Sequence, residues 1–417
     1  MSEDIKRLKI GFIGSGFIAK FILKAMMQVR HCELTALLNR SGAESLSEFS
    51  RDNNLGNPKI FESVSDLCNH CDAVAILSPN YTRVEIMQQI AEAEQAGARL
   101  KGVICEKPLG RNIAEAAQMV NIAQEAGLNS AYFENQLHMN AVNNGLEQLL
   151  LQRSTMGEPV LARSTEEHAG PHNSWFWDPE LQGGGVLSDM GCHSIAVGRH
   201  LLTPEGKDPL FLKPVSVQAD TSLLKWGQPK YRNILKQKFG VDYGKKPAED
   251  FATGIITYKN PETGQLVKSQ FTDSWMYDKQ GLRLTMEALG PGYAMEVNTL
   301  ISPLEIFIGD EAAEAAADAE TALEKSTASR GLLAVQPDEA GLYGYSTELQ
   351  DAVHNFMNGR DGFLNWEYGL ETIRLVQAAY LAAEKGTTID LTDEGILKEL
   401  EGYHSLISQG RGAEVLF

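Results

Sequence analysis

In the first third of the chain, short unbroken apolar runs alternate with longer stretches whose apolar positions recur every three or four residues. The runs are LKIGFI from Leu8, LTALL from Leu34, AVAIL from Ala73, GVIC from Gly102 and SAYF from Ser130. Residues 17–29, 43–53, 82–96 and 112–126 between them carry the helical period. Unbroken apolar runs suit strands covered on both faces, and helices of this length between them serve as crossovers. The pattern therefore predicts a doubly wound parallel α/β sheet. Further on, between about 210 and 310, SVQADTSLL, DFATGIITY and LVKSQFTDSW follow one another in hairpin-like succession. They predict an open, mostly antiparallel sheet with helices on one face. The expected division is a doubly wound Rossmann-type domain over 1–138 and an α+β domain over 139–417, with late helices at about 345–385 packing back on the first. Residues 226–250, basic and aromatic, read as an inserted solvated loop, and 309–326 as an acidic, alanine-rich surface helix.

A length of 417 residues gives each of two domains material for a core. The 43% hydrophobic and 22% charged content is that of a soluble globular protein, and no apolar run approaches the roughly 20 residues that span a membrane. The N-terminal MSEDIKRLKIGFIGSG is acidic and leads straight into a strand, unlike a secretory signal, so a cytoplasmic location is expected. A net charge of -18 without a basic cluster argues against a nucleic-acid partner, because neutralising phosphates needs grouped Lys and Arg. Five scattered cysteines, an odd number, suit reduced thiols. CNHC at 68–71 has redox or zinc spacing but no second ligand pair follows, and no metal is expected.

The first strand runs into GSGFIA, Gly14 to Ala19, a GxGxxA turn that opens a helix. Its glycines let backbone approach a pyrophosphate, whose charge the helix N-terminus favours. The second strand ends in LLNRSG, with Asn39, Arg40 and Ser41 and no carboxylate before Glu44. A carboxylate there would hold the ribose hydroxyls of NAD, whereas an arginine accommodates the phosphate of NADP, so the chain leans to NADP over NAD. VICEKPLG sets Glu106 and Lys107 at the carboxyl end of a later strand, where ligands bind in such sheets. GGGVLSDMGCHS, 183–194, follows a triple glycine with Asp189 and His193 at helical i, i+4 spacing, hence on one face. Just before it, EEHAGPHNSWFWDPELQ offers His168, Trp175, Trp177 and Asp178, aromatic faces for the CH surface of a pyranose and polar groups for its hydroxyls. The competing reading of that segment is a hydrophobic plug closing a loop. A zinc set of His168, His172, Asp178 and His193 is disfavoured because nicotinamide chemistry needs no metal.

Taken in this order, the glycine turn, EKP and GGGxLxDxGxH resemble the Gfo/Idh/MocA oxidoreductases, as do SPN at 78–80 and YSTELQDAVHNFMNG at 345–359. The resemblance implies a pyridine-nucleotide oxidoreductase acting on a secondary alcohol of a sugar, sugar derivative or cyclitol, assembled as a homo-oligomer through the C-terminal sheet. It implies catalytic roles for Lys107, Asp189 and His193. It implies nucleotide contacts at Gly14, Gly16, Phe17, Ile18, Asn39, Arg40, Ser78, Asn80, Glu106, Lys107 and Asn135, and carbohydrate contacts at Lys107, His168, Trp175, Trp177, Asp178, Asp189 and His193. The residue types agree: an imidazole of intrinsic pKa about 6.5 can take the hydroxyl proton while a lysine polarises the same oxygen. His193 is read as the base with Lys107 assisting, the reverse remaining open. Two positions depart from the family pattern: Arg83 replaces a histidine after SPN, and Asn140 stands where a proline is expected. Two other readings are carried. One is a glycoside-cleaving enzyme that oxidises C3 transiently with bound NAD(H); the other is a non-catalytic nucleotide-binding regulator, against which the joint presence of Lys107, Asp189 and His193 speaks.

Overall fold

In the computed structural model, which describes residues 6–279, 281–301, 304–308, 331–335 and 338–417, the early alternation becomes β1 (Leu8–Ile13), α1 (Phe17–Ala25), β2 (Cys32–Leu38), α2 (Ala43–Asp52), β3 (Lys59–Phe61), α3 (Val64–Cys68), β4 (Ala73–Ile76), α4 (Arg83–Gln95), β5 (Gly102–Glu106), α5 (Ile113–Glu125) and β6 (Asn129–Phe133). The six strands are parallel in the order β3-β2-β1-β4-β5-β6. Ile10, Phe12, Leu34, Val74, Ile76 and Ile104 are wholly buried along it, each contributing about 1.5–3 kcal/mol by leaving water. The strand order reverses between β1 and β4, where sheets of this type open a crevice at their carboxyl ends.

The chain continues through α6 (Asn140–Gln148), α7 (Leu150–Met156), β7 (Leu161–Glu167), α8 (Pro179–Gln182), α9 (Cys192–Leu202), β8 (Lys213–Ser222), α10 (Pro229–Phe239), β9 (Phe251–Lys259), β10 (Leu266–Ser274), β11 (Arg283–Gly290) and β12 (Tyr293–Asn298). A two-stranded antiparallel pair, β13 (Leu304–Ile308) and β14 (Gly331–Val335), follows, then α11 (Glu339–Leu342), α12 (Tyr345–Met357), α13 (Trp366–Lys385), β15 (Ile389–Asp390), α14 (Glu394–Glu401) and α15 (Ala413–Leu416). The second large sheet has the order β12-β11-β7-β10-β9-β8-β15, antiparallel at every pairing except β7 with β10. The fold is thus α/β, a Rossmann sheet followed by a mostly antiparallel one.

Two units partition the chain: Met1–Asn140 with Ala340–Ile373, and Ala141–Glu339 with Arg374–Phe417. In the first, α12 lies against α1, with the Phe21 and Tyr345 rings 5.6 Å apart and the Ser346 hydroxyl donating to Gln28 Oε1 at 3.0 Å. The Tyr132 N–H donates to the Leu364 carbonyl at 2.8 Å, so late chain also lines the β6 edge. In the second unit α9 packs on β7, β10 and β11, and every residue from Cys192 to Val197 is buried.

The structure corrects one expectation here. Residues 226–250 form α10 and a loop whose Trp226, Leu235 and Tyr243 are buried, so the segment is part of the second unit's core. Its basic residues ride on the outer side of an amphipathic helix, which a charge count reads as a solvated loop. The acidic stretch 309–326 lies outside the described residues. Among the described residues no helix is long and apolar enough to cross a membrane.

Candidate active site

The first unit supplies the nucleotide-binding features. Gly14 has φ +122°, and a Cβ there would stand 2.6 Å from the Leu77 carbonyl, so only glycine lets β1 turn this close to the end of β4. Gly16 is exposed, and a Cβ on it would meet nothing within 4 Å. Beyond it α1 begins without any side-chain cap, and Phe17 and Ile18 are half-buried beside the first-turn amides. A helix N-terminus without a side-chain cap, with room in front of Gly16, fits the pyrophosphate of a dinucleotide. The Ser15 hydroxyl donates to the Ser41 carbonyl at 2.7 Å, tying this turn to the end of β2. Asn39 and Arg40 are exposed there. The short edge strand β3 was not predicted, and it brings in a carboxylate that the linear sequence hides: Asn39 Nδ2 donates to Glu62 Oε1 at 2.7 Å.

Glu106 ends β5, and Lys107, half-buried among buried neighbours, donates its backbone N–H to the Phe133 carbonyl at 3.2 Å. Arg83, only 4% exposed, reaches under this turn. Its Nε donates to the Ser78 carbonyl at 3.2 Å, Nη1 to the Glu106 carbonyl at 2.5 Å and to the Pro108 carbonyl, and Nη2 to the Lys107 carbonyl at 3.2 Å. One side chain thereby joins the SPN loop to the EKP turn. Asn80 is buried in that loop, where the Thr82 hydroxyl donates to Ser78 Oγ at 2.8 Å. Asn135 is buried with Nδ2 donating to the Tyr343 carbonyl at 2.7 Å, which engages part of the amide assigned to nucleotide. Buried Glu348 stands near Glu106 and Glu134, and burial, reinforced by those charges, pushes its carboxyl well above the ordinary range.

Asp189 and His193 belong to the second unit, each 4% exposed. The predicted continuous α-helix is here a π-turn over Leu187–Gly191 followed by α9. Asp189 lies within the wider turn and His193 in the first turn of α9. The start of this turn is held by Glu249, fully buried between the glycines and α13. Its Oε1 accepts the N–H of Gly185 at 3.1 Å, the N–H of Leu187 at 3.0 Å and the Tyr380 hydroxyl at 2.6 Å, and its backbone carbonyl accepts the Val186 N–H at 3.1 Å. A Cβ on Gly185 would stand 2.3 Å from that carbonyl, which explains a glycine at this site. Burial pushes the Glu249 carboxyl up to about 7, against the pull of those donors. Next to His193, Ser194 donates to the buried Asp273 at 2.6 Å, and burial holds that carboxyl well above its ordinary range.

The aromatic segment divides. Trp177 is 1% exposed, its indole N–H donates to the Pro171 carbonyl at 3.1 Å, and its ring lies 4.7 Å from Trp226 and 5.0 Å from Trp275. Trp177 is therefore the plug, with no face left for a sugar, while Trp175 and Phe176 stack at 3.8 Å and remain half-buried. Asp178 caps α8, its side chain accepting the Glu180 N–H at 3.0 Å. His168 is buried, with Nδ1 accepting the Gly170 N–H at 2.9 Å. Cys68 and Cys71 are buried free thiols, and burial pushes Cys68 up to about 12.

Comparison with known proteins matches residues 8–133 to the model of an oxidoreductase family with an NAD-binding Rossmann fold, and residues 148–291 to the GFO/IDH/MocA C-terminal domain. The chain belongs to the GFO/IDH/MocA family. It is 26% identical over 194 residues to glucose-6-phosphate 3-dehydrogenase of Bacillus subtilis, covering 45% of this chain and 51% of that one. The chain thus spans about half the length of the first curated relatives it matches. It is 23% identical to D-apiose dehydrogenase of Rhizobium rhizogenes over 410 residues, 93% of this chain and 99% of that one. The fold is shared with GenD2 from gentamicin A biosynthesis, solved in complex with NAD, at TM-score 0.71 and 20% identity, covering 94% of this chain and 98% of that one.

Sequence reading missed Glu62 and Glu249 and gave Arg83 no role. Glu62 was hidden because β3 has three residues, and Glu249 because nothing local ties the AED before β9 to a glycine run so far upstream. Arg83 carried a signal, since it departs from the family's histidine.

Proposed function

We propose that the protein is a nicotinamide-dependent oxidoreductase that exchanges hydride between a secondary carbinol of a sugar, sugar derivative or cyclitol and C4 of the cofactor. What supports this reading most is that the open amide turn at Gly16 and the half-buried Lys107 stand on one edge of the same parallel sheet, the carboxyl edge, in a chain of this family. The substrate class rests on relatives named for glucose 6-phosphate and D-apiose.

Gly16 and the first amides of α1 would hold the pyrophosphate of a nicotinamide dinucleotide, which would supply the two-electron acceptor. Lys107 Nζ donates to the carbinol oxygen and steadies the charge that builds there as its proton leaves. The His193 imidazole receives that proton, and Asp189 orients the imidazole or a neighbouring hydroxyl. Glu249 keeps the Gly185–Leu187 turn, and with it Asp189, in one arrangement. Of the aromatic segment, His168, Asp178 and Trp175 stay with this reading as carbohydrate contacts. We favour NADP because Arg40 is exposed at the end of β2, with the Glu62 carboxylate beside Asn39 tempering that preference. A second copy is the expected cover for the outer face of the large sheet, where Thr165, Thr285 and Ile255 lie half-buried or exposed.

The experiment is incubation with a panel of aldoses, sugar acids and cyclitols together with NAD or NADP. Reduced nucleotide formed in proportion to a keto product is expected. Release of aglycone from a glycoside with no net change in nucleotide would overturn the reading in favour of transient oxidation.

A further inference from the structure

We propose that Arg83 is a positioning residue for Lys107. The inference rests on the role given to Lys107 above.

The placement of Arg83 is costly unless it does something. It is the first residue of α4, where the helix dipole disfavours a cation, and it is 4% exposed. Among the described residues it has no carboxylate partner. Its charge is met by the carbonyls of Ser78, Glu106, Lys107 and Pro108 alone. Three of these belong to the consecutive residues that carry Lys107 off the end of β5. Their peptide planes are therefore fixed from below by one planar fork of N–H donors, while the fourth bond anchors the fork to the SPN loop. An imidazole, which the family pattern puts at this place, has too few ring nitrogens to reach all of these carbonyls. The lysine side chain must leave a turn so constrained in a narrow range of directions.

The test compares Arg83→Lys and Arg83→Met with wild type and with Lys107→Met. The first readout needs neither substrate nor cofactor: the rate of Lys107 acylation by acetic anhydride at fixed pH, mapped by peptide mass spectrometry. Both Arg83 variants should alter this rate, because neither keeps the planar fork of donors that holds the three carbonyls. The second readout is turnover. Both Arg83 variants should lower kcat by about tenfold to a hundredfold, the scale of a small misplacement of a reacting group, with KM for nucleotide within about threefold. An unaltered acylation rate in Arg83→Met, or turnover that falls only as far as the folded fraction falls, would overturn the proposal. If Lys107→Met is inactive while the Arg83 variants turn over normally, only this inference fails. If Lys107→Met itself turns over normally, the role given to Lys107 fails.

Discussion

Replacing Glu249 by glutamine should remove a specific pH dependence from the stability of the second unit. The carboxyl titrates near 4.5 in the unfolded chain and at about 7 in the folded protein, because burial disfavours its charged form. The folded state therefore holds the proton more tightly. Its stabilising contribution is complete below about 4.5 and is lost as pH rises through about 7. At about 1.4 kcal/mol per pH unit, the loss between those limits is about 3 kcal/mol. A glutamine can still accept from Gly185, Leu187 and Tyr380, yet cannot ionise. It also buries an amide N–H where Glu249 Oε2 has no hydrogen-bond partner, which lowers stability at every pH by about 1–3 kcal/mol. The informative quantity is therefore the slope. Urea unfolding followed by tryptophan fluorescence suits the purpose, since Trp177, Trp226 and Trp275 are packed together in this unit. Between pH 5 and pH 8 the wild type should lose about 3 kcal/mol more than Glu249→Gln. Parallel curves for the two proteins would refute the assignment of a protonated, turn-pinning carboxyl.

His193→Ala should lower kcat by about two to four orders of magnitude, with nucleotide affinity nearly unchanged by fluorescence titration; an undiminished rate would remove His193 from the reaction. Gly16→Val should weaken nucleotide binding by more than about tenfold while leaving the melting temperature of the nucleotide-free protein unaltered, because the added side chain enters open space. Calorimetric titration with NAD and NADP checks the binding half of that statement, and a thermal melt without nucleotide checks the other. Glu62→Gln should shift the ratio of kcat/KM values toward NADP by roughly tenfold, since it removes a negative charge beside Asn39; an unchanged ratio would leave cofactor choice to other residues.

The parallel sheet was legible because each long strand is an unbroken apolar run and each crossover helix has its own period. What escaped were elements too short to show a period: β3 with three residues, α3 with five and β15 with two. Their existence depends on neighbours distant in sequence, as when Lys59–Phe61 pairs with Ala36–Leu38. The residue types of the candidate site were legible from motifs, but their local geometry was not. The spacing of Asp189 and His193 fits an ordinary helix, whereas the chain forms a wider turn at Leu187–Gly191 whose start is held by the distant Glu249. Trp177 illustrates the opposite failure: a tryptophan that stacks on sugar and one that fills a core are the same residue, and only the position of Trp226 and Trp275 decides between them.

The central claim is that a carbinol hydrogen of the substrate passes directly to the nicotinamide, with Lys107 and His193 serving the same oxygen. The most direct measurement uses a sugar or cyclitol deuterated at the reacting carbon, with proton NMR and mass spectrometry of the nucleotide after turnover. The account predicts deuterium at C4 of the reduced nicotinamide in the wild type, and at most about a hundredth as much in the same time with Lys107→Met or His193→Ala. Deuterium lost to water, or full transfer in both variants, would contradict it.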